Sequence, residues 1–94
     1  MYNMYNMYEV ENPVYQDYKD IQKQYDENLV VITNAVWEER PLRFIGGVVR
    51  YYGNDRKNLI NKWGELIKRE NEDKYGKCYF TTLMRDRGVH FHYD

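Results

Sequence analysis

The chain has 94 residues, of which 43% are hydrophobic and 31% charged, a size and composition that suit one globular domain with a modest core and exclude a disordered tail. Fourteen Lys and Arg against fifteen Asp and Glu leave a formal charge of -1, which excludes the long-range field of a dedicated duplex-DNA binder or of an acidic DNA mimic. The sequence contains no Ser, which removes every Ser nucleophile, and its single Cys78 has no partner for an internal disulfide, so a reducing, cytoplasmic setting is expected.

Residues 1–8 repeat Met-Tyr-Asn with a period that fits neither strand alternation nor an α-helix, and residues 1–10 read as a loose, Met/Tyr/Asn-rich arm ahead of a single domain over 11–94. Asn12 followed by Pro13 has the form of an N-cap and first helical residue. With Val14, Tyr18, Ile21 and Tyr25 at helical spacing it predicts a first helix over about 13–27. The β-branched run 29–37 predicts a strand, Glu38 to Pro41 a turn, and 42–52 a second strand. Gly46 and Gly47 interrupt that second run, and a bulge bending one long strand is favoured over a primed turn joining two short ones.

Leu59, Ile60, Trp63, Leu66 and Ile67 form one apolar face of a second helix over about 55–73, capped by Asn54 or Asp55 and ended by Gly76. Glu65 and Arg69 are spaced for an ion pair along it. No apolar stretch approaches the ~20 residues of a membrane span, and no export signal is recognisable, so no membrane association is expected. A closing hairpin is predicted, with strands 78–84 and 89–93 and Arg85 to Gly88 as the loop. The expected fold is therefore α+β in the order α-β-β-α-β-β, a mainly antiparallel sheet with its helices packed on one face.

Candidate chemistry is sparse. His90 and His92 share a strand face with Asp94 and make a weak metal site, the centre of a metal-dependent hydrolase if one exists, but two histidines without ligand role fit as well. Cys78 falls on the face opposite those histidines and reads as structural. Gly53, Asn54, Arg56 and Lys57 place a helix start beside two cations, a weak anion-binding arrangement that Asp55 opposes. Adjacent Glu38 and Glu39 diverge and cannot flank one substrate bond.

Eleven Tyr exceed what a small core can bury with every hydroxyl satisfied, so several belong at the surface. Interleaved Arg and Tyr suit a protein interface, where both are common anchors, and equally a single-strand DNA or RNA surface that stacks bases. The balanced charge favours protein. The residues expected to bind a partner are Tyr2, Tyr5, Tyr8, Tyr15, Arg43, Arg50, Tyr51, Tyr52, Arg85 and Arg87.

The function expected from these features is a small non-catalytic module, without cofactor, that occludes a surface of a larger protein or nucleoprotein. Its composition fits an accessory or inhibitory protein of a phage or other mobile element. Single-stranded nucleic-acid binding is the alternative. A homodimer is expected to cover the apolar stripe of the first helix and the sheet edge.

Overall fold

A computed structural model describes residues 5–82. In chain order the elements are β1 (Met7–Glu9), β2 (Tyr15–Asp17), α1 (Tyr18–Gln24), β3 (Leu29–Glu39), β4 (Leu42–Gly53), α2 (Arg56–Leu66), a 3-10 turn (Arg69–Asn71), α3 (Glu72–Tyr75) and β5 (Tyr79–Thr82). All strand pairings are antiparallel. β3 and β4 form the long central hairpin, β5 pairs with β3, and β1 and β2 share the other side of β4. The result is an α+β fold built on an antiparallel sheet, with no helix among the described residues long and apolar enough to cross a membrane.

The predicted first helix over 13–27 is corrected. Its first residues are β2, and α1 begins only at Tyr18, capped by Asp17, whose Oδ1 accepts from the Asp20 N–H at 3.0 Å. Asn12 is no N-cap: it turns the chain with φ 51, a left-handed conformation that Asn tolerates. The cause of the strand lies across the sheet. Asp17, Gln16 and Tyr15 pair with Gly46, Gly47 and Val48, and a Cβ on Gly46 would sit 2.5 Å from the Gln16 carbonyl oxygen and from the Tyr15 hydroxyl. Only glycine lets β2 lie this close. Met7–Glu9, within the expected loose arm, also pairs with β4.

β4 runs unbroken through Gly46 and Gly47. Register shifts against β3 fall between Val31 and Ile32, between Thr33 and Val36, and between Val36 and Trp37, so the irregularity flanks the glycines and bends one long strand. The second helix is shorter than 55–73. α2 ends at Leu66, and the Ile67 and Lys68 amides bond back to the Trp63 and Glu65 carbonyls. The chain then tightens into the 3-10 turn before α3, which stops at Gly76 with φ 55. Arg69 thus lies beyond the helix, and Glu65 pairs with Lys62 instead, at 3.6 Å.

The expectation of helices on one face is also corrected. Successive residues of β3 point to opposite faces. Val30 and Ile32 join Ile21 and Tyr25 of α1, with Phe44, Val49 and Tyr79, in one core. Val31 joins Leu59 of α2 and Phe80 in another. The two helices therefore cover opposite faces, and Tyr79 and Phe80, neighbours on β5, are both buried on different sides of the sheet. An uninterrupted apolar run such as Leu29 to Ile32 is the sequence mark of a strand buried on both faces.

Candidate functional site

The Arg40-Pro41 turn carries the β3–β4 hairpin past the start of β5, which pairs only with Leu29 to Ile32. The far part of the hairpin is held by aromatic packing on the α1 face, where the Trp37 ring centroid lies 5.3 Å from Phe44 and 5.0 Å from Tyr79, in edge-to-face geometry. On the α2 face, Trp63 stacks on Phe80 at 6.1 Å. Between the hairpin, the end of α2, the 3-10 turn and the start of β5 opens a groove of about 690 Å3.

Trp37, Leu42, Trp63, Ile67, Cys78 and Tyr79 give the groove an apolar lining. Leu42 is 58% and Ile67 48% exposed, so both present apolar surface to solvent. Its charged lining residues come in both signs, Glu39 and Glu72 against Arg69 and Lys77. A cavity of this volume, apolar with a few polar groups at its rim, has the make-up of a ligand or partner site.

The wall formed by α3 and the start of β5 is fixed from below by Arg50. Its Nε donates to Thr33 Oγ1 at 2.9 Å, its Nη2 reaches Asn34 Oδ1 at 3.5 Å, and its guanidinium lies 5.2 Å from the Tyr75 ring centroid. Asn34, held at φ 52, donates from Nδ2 to the Lys74 carbonyl at 3.2 Å, and the Ala35 N–H donates to the Lys77 carbonyl at 2.9 Å. Burial pushes the Cys78 thiol above its ordinary pKa, with Arg50 pulling weakly the other way. Cys78 is thus held as a protonated, apolar part of the lining and not as an activated nucleophile.

The residues singled out from the sequence do not converge on one surface. Tyr5 and Tyr8 are exposed, and Tyr8 stacks on Tyr52 at 5.2 Å. Tyr15 is half exposed, its ring laid across Gly46. Tyr51 and Tyr52, neighbours in sequence, pack with the α2 and α1 cores respectively. Arg43 forms an exposed ion pair with Glu38 at 2.9 Å, and Arg50 serves the internal network. An Arg/Tyr face suited to stacking successive bases is therefore not assembled from Arg43, Arg50, Tyr51 and Tyr52. Tyr2, Arg85, Arg87, His90 and His92, with the closing hairpin, lie outside the described residues.

The anion arrangement at Gly53, Asn54, Arg56 and Lys57 is corrected as well. The Asn6 carbonyl already accepts from the Asn54 and Asp55 amides at 2.9 and 3.1 Å, and Asn54 Oδ1 accepts from the Asn6 N–H at 2.6 Å. The first turn of α2 is then closed by Asp55, whose Oδ1 accepts from the Asn58 N–H at 3.2 Å. A carboxylate sits where the anion would go. Arg56 instead lies over the Phe80 ring, 5.8 Å from its centroid.

Sequence reading placed Trp63 and Ile67 in a core face and gave no role to Trp37 or Leu42. The signal available was the pair of tryptophans, together with an apolar Leu42 directly after a turn proline and an apolar Ile67 at a helix end. Among the described residues no group of three or more His, Cys, Asp or Glu is arranged to hold a metal ion. Comparison of the chain with protein-family models, curated proteins and solved structures finds no match in any of the three.

Proposed function

We propose that the protein is a non-catalytic protein-binding module that occludes a surface of a larger macromolecule, and that the groove beside the β3–β4 hairpin is where it engages its partner. The observation that carries this reading is the meeting of two tryptophans and two exposed aliphatic side chains, Leu42 and Ile67, in one groove with a charge-balanced rim. Partly buried aromatic anchors ringed by polar side chains are the usual make-up of an interface centre. The balance of Glu39 and Glu72 with Arg69 and Lys77 gives a phosphodiester backbone little attraction.

The test is recovery of partners from lysate of the source cell by tagged protein, with and without nuclease, comparing the natural chain with Leu42→Glu and Ile67→Glu. Both positions are exposed enough to accept a charge without unfolding the domain. A stoichiometric protein that survives nuclease and is lost with both variants supports the reading. Recovery that disappears with nuclease, or is indifferent to both variants, refutes it.

A further inference from the structure

We infer that the partner enters as an added strand: an extended, uncharged peptide segment lies along the outer edge of β3 at residues 36–39 and sets an apolar side chain into the groove, a mode that rests on the protein-binding reading above. β3 runs to Glu39, whereas β5 accompanies it only from Leu29 to Ile32. The chain adds one more backbone bond on that side, from the Ala35 N–H to the Lys77 carbonyl. Beyond it, no strand among the described residues pairs with the outer side of Val36, Glu38 or Glu39, and all three are exposed. A strand edge of this kind presents backbone donors and acceptors that another extended chain satisfies.

The groove lies against this same stretch. Trp37 and Glu39 line it from the strand, and Trp63, Ile67 and Arg69 form the wall across from them. A segment continuing the line of β5 past Lys77 would therefore have its backbone on β3 and every second side chain toward the tryptophans. Four residues of strand span about 13 Å. Backbone pairing supplies affinity and the pocket supplies choice of side chain, the usual division in strand addition. A helical ligand satisfies its own backbone and would leave the β3 edge unanswered.

Charge narrows the occupant further. Glu38 is spent on Arg43 at 2.9 Å, and the rim acids Glu39 and Glu72 are matched by Arg69 and Lys77. The site therefore complements a segment without net charge that carries a large apolar residue.

The probe is a set of N-acetylated, C-amidated peptides alternating Thr with Leu, with Leu, Phe, Tyr or Trp at the centre, added to 15N-labelled protein up to about 2 mM. Each has two analogues, N-methylated on one or the other alternate set of backbone nitrogens, which keep the side chains and remove the donors. Strand addition predicts saturable shifts of the Trp37 and Trp63 indole N–H signals and slowed amide exchange between Val36 and Glu39. It also predicts about tenfold weaker binding of one methylated analogue, the loss expected for a hydrogen bond or two. Saturable indole shifts without amide protection and without an N-methyl penalty overturn strand addition and leave the groove reading standing. No saturable shift with any peptide overturns both.

Discussion

Adding one methyl group to a glycine should act in opposite directions at two sites of this protein. At Gly47 a Cβ would lie 2.5 Å from Ile32 Cγ2, 3.0 Å from the Thr33 carbonyl oxygen and 3.4 Å from Ala35 Cα. Ile32 is fully buried and the other two atoms are backbone of the paired strand, so nothing nearby yields cheaply. Gly47→Ala should cost about 2–3 kcal/mol, the upper part of the overpacking range. At Gly64, inside α2, a Cβ meets nothing within 4 Å, and Gly64→Ala should gain about 0.5–1 kcal/mol from helix propensity and a less flexible unfolded chain.

Urea unfolding followed by Trp37 and Trp63 fluorescence reads both. With a slope of about 1 kcal/mol per molar, the midpoint should fall by about 2 M for Gly47→Ala and rise by about 0.5–1 M for Gly64→Ala. A Gly47→Ala midpoint equal to that of the natural chain would refute the close apposition of β3 and β4, and a destabilised Gly64→Ala would refute the open flank of α2.

Three further outcomes follow from side-chain roles. Arg50→Met should cost about 1–3 kcal/mol, because it removes the donor to buried Thr33 and the cation over Tyr75, and it should speed amide exchange around Gly76; unchanged exchange there would contradict the Arg50 network. Asp55→Ala should cost about 1 kcal/mol while Asp55→Asn retains most of the cap, a difference that thermal unfolding resolves. The Cys78 thiol, raised chiefly by burial, should be alkylated more slowly in the native chain than in urea at neutral pH.

The raised thiol also fixes a pH dependence. A folded pKa above the unfolded one means that the contribution of Cys78 is complete below about pH 8.5 and is lost as pH rises through the folded value. Tyr25 and Tyr79, both raised mainly by burial, extend the same decline to higher pH. Cys78→Ala should therefore flatten the first part of the alkaline fall in stability, and an unaltered profile would contradict it.

The helix α2 was legible in the sequence because its apolar spacing, Asp55 cap and charged opposite side agree with one another. The β3–β4 hairpin was legible from β-branched runs on both sides of a polar turn with proline. The first helix was overextended because Val14 and Tyr18 keep helical spacing although the chain at Tyr15–Asp17 pairs with a glycine-lined strand more than thirty positions away. Local pattern carries no trace of that pairing. The helix faces were misassigned because Val30, Val31 and Ile32 are all apolar, and a continuous run does not say that each side has its own lid.

The groove was hidden for a related reason. Its walls come from β3, the start of β4, the end of α2, the 3-10 turn, α3 and the start of β5, and only the fold brings these together. Tyrosine abundance drew attention elsewhere, to rings that the structure spends on one another, as in the Tyr8, Tyr52 and Tyr25 contacts at 5.2 and 4.9 Å.

The central claim is that the groove holds a protein partner, and photo-crosslinking tests it most directly. A photoreactive diazirine leucine analogue replaces Ile67, with the same group at Val14 on β2's flank as the control, in lysate of the source cell treated with nuclease. A discrete protein adduct from position 67 that is absent from position 14 is the predicted result. Equal adducts from both positions, or an adduct from 14 alone, would contradict the account.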